Sequence, residues 1–454
     1  MRLSGYKKKL ETIDCFYREM IAVSLLFILS CIYGFSLIKD IDFDYLSNCV
    51  YITWLCMLFC SFLSVTYGLK DKDIFSPLIF IFIFEIPSLF QPLVLLSNSM
   101  NGVWVYGGGV EDKIALIKYQ IFFCLYKLCL VFGYFFGKRL KYKFFAVDEN
   151  ISKKSVLVFF LIGMFGYVLF MFLNGGLYYY ISNIYNRRAM GEGKGFIFIL
   201  IYGLFISGLL YFYKNKFKNI INYTILYYVC IFLILLSLGG RGLALKFIFS
   251  LMMFYNYFKK KISLLFFIII FAFGYIFAGF LGEIRSNTAV EGEGDIKFEV
   301  VVDTQELERG LLLVKNIPNE QEYTYFKTYV SLITTLIPRN IYNDKPGLSE
   351  AAVYSHLFTG VKSDSKGIYP AGTVAEYYMQ AGIYSIIILS FLQGLIVAYV
   401  YRFFIRNKNM YVFLLYALFM LSGAYKLRNL GIFQFFMMYG VLRVGFLLSR
   451  VKYK

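Results

Sequence analysis

Charge is what this sequence has least of. Asp, Glu, Lys and Arg make up only 16% of the residues, against 59% hydrophobic and 21% aromatic, with a mean hydropathy of +0.64. That composition excludes a soluble domain. Histidine occurs once, at His356. No small-residue cleavage site closes the first apolar run, which begins near Met20 behind a basic tail, so the run reads as a retained helix and not as a signal peptide. The segment 283–373 has no cysteine. Cys31, Cys49, Cys56, Cys60, Cys124, Cys129 and Cys230 fall in or beside apolar runs and Cys15 lies in the basic tail, which excludes a disulfide framework. A long polar segment without such staples has to be ordered by packing against the rest of the chain.

What is present is a recurrence of apolar runs, each about 18 to 25 residues long and so sufficient at about 1.5 Å per residue to cross a hydrocarbon core of about 30 Å. The expected spans are 20–38, 48–69, 74–97, 114–137, 155–173, 195–213, 220–238, 242–258, 262–282, 374–401, 410–425 and 430–448. The fold class is therefore all-α and polytopic, with about twelve transmembrane helices. The net charge of +18 raises nucleic acid as a partner, but its distribution maps onto membrane topology instead. One face carries Lys7, Lys8, Lys9 and Arg18, then Lys70 and Lys72, then Lys138, Arg139, Lys141, Lys143, Lys153 and Lys154. Lys214, Lys216, Lys218, Lys259, Lys260, Lys261, Arg402, Arg406, Lys408, Arg450, Lys452 and Lys454 continue it. The positive-inside rule makes this face cytoplasmic, with both termini on it. The chain then divides into helices 1–9 (1–282), one large outer loop (283–373) and helices 10–12 (374–454).

Basic residues are scarce on the outer side, so those that occur there need their own explanation. Arg241 sits in the tight turn "LLSLGGRGLALKF", Arg187 and Arg188 in "NGGLYYYISNIYNRRAMGEGKG", Arg285 in "GEIR", Arg339 and Lys345 in "PRNIYNDKPG", and Arg428 in "YKLRNLG". Glu376, at the mouth of the tenth span, and His356 complete a set expected at outward-facing helix ends. Arginine donates two parallel hydrogen bonds to phosphate oxygens and stays charged at any pH, so a membrane-anchored phosphate is the natural ligand. The plainer reading of Arg187, Arg188 and Lys345 is that they snorkel toward headgroups; that of Arg241 is that its flanking glycines only make a turn; that of His356 is an ordinary loop residue. The loop holds helical spacing over Asp303 to Lys315, with Leu307, Leu311 and Val314 on one side. An apolar stretch from Tyr325 to Ile337 is too short to span and is expected to lie in the interface as an amphipathic helix.

Two acidic features stand apart. Asp40, Asp42 and Asp44 in the first outer loop read as a solvated acidic loop, with a metal site or sugar-transfer acid as the sharper alternative. Glu85 lies at mid-membrane, 11 residues after Ile74, and Lys127 lies 10 residues before Gly137 on the antiparallel neighbour. Equal depth predicts a buried structural ion pair, with a proton relay as the alternative.

In layout and in local patterns of its second half the chain resembles the Wzy-type O-antigen or oligosaccharide repeat-unit polymerases. The patterns are "GGRG" at 239–242, "GEIR" at 282–285, "IPRNIYNDKPG" at 337–347, "GTVAEYYMQAG" at 372–382 and "RNLG" at 428–431, in that order. The resemblance implies a GT-C-like membrane glycosyltransferase at the periplasmic face of a bacterial inner membrane. Its reaction would be inverting and metal-independent, without a cofactor, and would join undecaprenyl-diphosphate-linked oligosaccharide repeats in lipopolysaccharide biosynthesis. It further implies membrane lipids and a chain-length regulator protein as partners, and no nucleic acid. On this reading Arg241, Arg339 and Arg428 bind diphosphate, supported by Arg285 and Lys345; Glu376 or His356 is the base; and Arg187, Arg188 and Tyr179, in the run Tyr178 to Tyr180, hold the acceptor glycan. Three other classes stay open. They are an O-antigen ligase, to which an outer-loop histidine also points; a polyprenyl-phosphate-sugar transferase working through Asp40, Asp42 or Asp44; and a non-enzymatic lipid-linked oligosaccharide flippase.

Overall fold

The computed structural model describes residues 20–37, 45–100, 110–141, 152–183, 190, 195–214, 225–238, 241–270, 274, 305–334, 354 and 371–450. Among these residues the secondary structure is helical, with no strand. In chain order the helices are α1 (Met20–Leu37), α2 (Tyr45–Leu69), α3 (Pro77–Met100), α4 (Val110–Arg139), α5 (Lys153–Phe172), α6 (Leu177–Ser182), α7 (Gly195–Lys214) and α8 (Ile225–Ser237). They continue with α9 (Arg241–Phe258), α10 (264–270), α11 (Gln305–Asn316), α12 (Lys327–Thr334), α13 (Thr373–Ala381), α14 (Ile383–Asn407), α15 (Met410–Ser422) and α16 (Asn429–Arg450).

Eight of these are long and apolar enough to cross a membrane: α1 to α5, α7, α14 and α16. Their large apolar side chains are left uncovered in stripes that water would not tolerate. Leu157, Leu161, Phe165, Val168 and Phe172 run along one face of α5 at helical spacing, all exposed. The chain is a polytopic helical membrane protein. Three further expected spans appear as shorter apolar helices, Ile225–Ser237, Ala244–Phe258 and Met410–Ser422. The expected span 262–282 is described as helix over 264–270 and at 274. The expected span 374–401 is not one helix: it divides at Gly382 into α13 and α14.

By internal packing the chain divides into two units, 1–143 with 302–402 and 423–432, and 144–301 with 403–422 and 433–454. In the first unit α2 packs on α3 and α4, and the buried Trp54 of α2 donates its indole N–H to the Leu89 carbonyl of α3 at 2.7 Å. Helices α4 and α14 meet backbone to backbone: a Cβ on Gly133 would lie 2.0 Å from the Phe391 carbonyl oxygen, and one on Gly394 2.1 Å from that of Leu130. This is the small-residue contact that membrane helices use where apolar burial gives no net drive. One pole of the unit gathers the end of α2, the start of α3 and the ends of α4 and α14. There Asp71 pairs with Lys138 and accepts from the Tyr134 hydroxyl at 2.7 Å, and Tyr401 donates to Asp73 at 2.7 Å. Arg402 donates to the Lys138 carbonyl in the last turn of α4 at 2.8 Å and to the Leu140 carbonyl just past it at 2.6 Å, where a helix terminus favours a cation. At the other end of α4, Lys315 of α11 pairs with Glu111 and Asp112 at 3.0 and 3.1 Å, and these two carboxylates, Glu111 first, raise its pKa above the usual lysine value.

In the second unit α5 and α7 pack closely along their length, and α9 packs on α8 and α15. Tyr180, buried at the end of the tyrosine run, donates to the Leu238 carbonyl at 2.8 Å, which makes it structural. Tyr178 and Tyr179 stay exposed.

Candidate functional site

The site grows from α13, nine residues long and buried from Thr373 to Gln380. Glycines in conformations closed to other residues bound it, Gly372 at φ 82, ψ 149 and Gly382 at φ 66, ψ −142. They account for the two ends of "GTVAEYYMQAG", since a continuous helix through Gly382 would have merged α13 with α14. Helix α11 lies against α13, α4 and α3. Gly310 sets the closeness: a Cβ there would stand 2.7 Å from the Ala371 carbonyl oxygen. The segment after α11 is tied to α13 by Gln380, whose Oε1 accepts from Thr324 Oγ1 at 2.7 Å and from the Phe326 amide at 3.1 Å. Thr324 and Tyr325 also donate their backbone N–H groups to the Met379 and Gln380 carbonyls, each at 2.9 Å.

Around α13 three charges converge. Glu376 is 1% exposed and pairs with the Arg428 guanidinium through Nη2; its Oε1 also accepts from the Ala371 amide at 3.3 Å. The Arg428 side chain, 16% exposed, reaches Glu306 of α11 with Nη1 at 3.7 Å, and Glu306 is 39% exposed. Arg428 precedes α16 on a turn with two left-handed residues, Gly423 at φ 81 and Leu427 at φ 48. That turn is pinned from three sides. Tyr329 donates to the Leu427 carbonyl at 2.9 Å, Tyr377 to the Lys426 carbonyl at 2.6 Å, and Asn429 to the Thr328 carbonyl at 2.6 Å. The fourth member is Tyr119 of α4, 8% exposed, whose hydroxyl lies 3.0 Å from where a Cβ on Gly372 would be. It has no hydrogen-bond partner among the described residues. Glu306 Oε1 lies 3.8 Å from the same point, so a side chain at position 372 would crowd the hydroxyl and touch the carboxylate.

A second buried set continues from this one. Glu85 of α3 and Lys127 of α4 form the expected ion pair, with Lys127 0% exposed. Tyr126 donates to Glu85 Oε1 at 3.2 Å, Gln393 Nε2 donates to the Tyr126 hydroxyl at 3.2 Å, and the Tyr377 hydroxyl lies 3.0 Å from Gln393 Oε1. Through Tyr377 the membrane-buried pair is joined to the turn that presents Arg428.

The expected site residues fall into three groups. Glu376 and Arg428 are brought together, but Glu376 is buried and does not face outward, because α13 is packed on all sides; Arg428 is flanked by two carboxylates. Tyr179 is exposed on α6. Arg187, Arg188, Arg285, Arg339, Lys345 and His356 lie outside the described residues, as do Asp40, Asp42 and Asp44, and Arg241 is the first residue of α9 with a side chain that also lies outside them. Glu306 and Tyr119 escaped the sequence reading. Glu306 sits beside Leu307 at the start of a helix legible from its leucines, and this placement was the one available signal. Among the described residues no three His, Cys, Asp or Glu side chains are grouped to hold a metal ion. No family model, curated protein or solved structure matches the chain. Fold and site together define a class: a multi-helix membrane protein with an ionic cluster on a short buried helix outside its spanning segments.

Proposed function

We propose that the chain is a glycosyltransferase of the O-antigen polymerase kind, joining undecaprenyl-diphosphate-linked oligosaccharide repeats at the periplasmic face of a bacterial inner membrane. The observation that carries this reading is the cluster of Glu306, Arg428, Glu376 and Tyr119. It gathers around one short buried helix a partly open carboxylate, a cation paired with Glu376, and a tyrosine hydroxyl without a hydrogen-bond partner among the described residues. In the reaction an acceptor hydroxyl on the terminal sugar of a newly delivered lipid-linked repeat attacks C1 of the growing glycan. The O–C1 bond forms as the bond from C1 to the diphosphate oxygen breaks, the bonding pair leaves with the diphosphate, and the acceptor proton passes to a carboxylate. Diphosphate needs little acid help once cations meet its charge. That role goes to Arg241 and Arg339, with Arg285 and Lys345 in support, while Arg187, Arg188 and Tyr179 hold the acceptor glycan. Arg428, already opposed by two carboxylates, serves those carboxylates and not the lipid. About twelve helices with cytoplasmic termini complete the proposed topology. The flippase alternative loses support from Lys127, because a fully buried ion pair lines no passage for a polar glycan.

The test is deletion of the gene in its host with electrophoresis of the lipopolysaccharide, followed by complementation with wild type, Arg241→Ala and Arg339→Ala at matched expression. The expected result is a core carrying one repeat and no ladder, restored by wild type and by neither variant. A bare core would identify a ligase or flippase, and an unchanged ladder would end the polymerase reading.

A further inference from the structure

We infer that Glu306 is the general base of the transfer and that Glu376, through Arg428, is its positioning residue. This rests on the polymerase reading given above. A base for a sugar hydroxyl has to be reached by the sugar. Glu376 is not reached: it is 1% exposed, and its Oε1 is engaged by Arg428 and by the Ala371 amide. Arg428 does not take a proton, since a guanidinium stays charged in proteins. Among the described residues of the cluster Glu306 remains, with a side chain 39% exposed at its edge.

Its surroundings suit the role. At 3.7 Å the contact from Arg428 Nη1 to Glu306 Oε1 is an ion pair too long for a hydrogen bond, so both oxygens keep their capacity to accept one. Arg428 and the first turn of α11, where the helix terminus favours negative charge, both place positive potential beside the Glu306 side chain. The Tyr119 hydroxyl and Glu306 Oε1 both lie within 4 Å of where a Cβ on Gly372 would be, so a hydrogen-bond donor for a sugar oxygen stands near the carboxylate. Glu376 closes the arrangement from below by fixing the guanidinium that fixes Glu306. In the step itself the acceptor O–H proton moves to Glu306, its electron pair forms the bond to C1, and the protonated Glu306 returns its proton to water before the next cycle.

An acidic residue in the first turn of a helix also has an ordinary structural role, and the experiment separates the two. The full chain is reconstituted in phosphatidylethanolamine and phosphatidylglycerol vesicles with lipid-linked repeats extracted from the deletion strain, and glycan elongation is followed against pH. Glu306→Gln is expected to lower kcat by about 10²–10⁴-fold with KM nearly unchanged, to melt with the wild type, and to lose the acid limb of the pH–rate profile in its residual activity. Glu306→Asp keeps that limb at reduced rate. Glu308→Gln, in the same helix turn, stays within about twofold of wild type. Near wild-type turnover by Glu306→Gln would overturn the assignment. So would a loss that tracks a fall in Tm and leaves the acid limb in place, which would make Glu306 a helix-terminus residue only. Absence of elongation by wild-type vesicles would instead remove the polymerase reading, and the role of Glu306 with it.

Discussion

Lys127 has no exposed surface, and its ammonium meets Glu85 across the α3–α4 contact. Removing one partner of such a pair leaves a buried charge without an opposite, so Lys127→Met should destabilise the protein by about 3–5 kcal/mol. Glu85→Leu combined with Lys127→Met should recover most of that loss, measured as thermal unfolding in detergent with both single variants and the double. Additive losses would show that the two side chains do not act as a pair. This contact was legible in the sequence because both residues lie at similar depth on consecutive antiparallel helices, and a helix converts residue count into distance at about 1.5 Å per residue. The contact of Arg428 with Glu376 spans 52 residues and several turns of the chain. Both residues stood out as charges beside apolar runs, but their pairing depends on a turn with two left-handed residues and on the depth at which α13 is buried, and spacing encodes neither.

At the scale of the element, α12 is built inside out. Thr328 and Ser331 are buried while Val330 and Ile333 are exposed, together with Tyr325 and Phe326 just before the helix. The polar side meets Gln380, with Gln380 Nε2 donating to Thr328 Oγ1 at 3.0 Å, so the apolar side is left exposed, and a bilayer interface is its expected cover. Spin labels on Val330→Cys and Ile333→Cys in a cysteine-free background should therefore collide with oxygen and not with a water-soluble nickel chelate, while a label on Ser331→Cys should meet neither. Preferential collision with the chelate at 330 and 333 would place this face in water. The short helix itself was readable from a run too short to span. The break at Gly382 was not, because hydropathy continues through "MQAGIYS" and a glycine inside an apolar run looks like a tolerated helix residue until its φ of 66° is known.

At the scale of the molecule, α4 sets a direction in the first unit: Glu111 and Asp112 with Lys315 at one end, Lys138 with Asp71 and Arg402 at the other. If the basic end is cytoplasmic, alkaline phosphatase fused after Asn316 should be active and a fluorescent protein fused after Asn407 should fluoresce. The opposite pair of results would invert the topology. Membrane embedding was legible from composition alone, since apolar runs recur along the whole chain. The length of each span was not, because a short apolar helix such as α15 shares the hydropathy of long ones and differs from them only in where the backbone turns.

The seating of α11 has a consequence for anyone who wishes to re-engineer this protein. Leu307, Leu311, Leu313 and Val314 are buried, with α11 against α3, α4 and α13, and Gly310 fits under the Ala371 carbonyl. The insertion that follows the ninth apolar run is therefore not a cassette. A chimera that grafts it onto another scaffold would leave its leucines without a socket and deprive α4 of its cover. Any exchange of the loop has to carry the surfaces of α3, α4 and α13 that face α11 along with it, and saturation libraries confined to the loop would leave those surfaces unsampled.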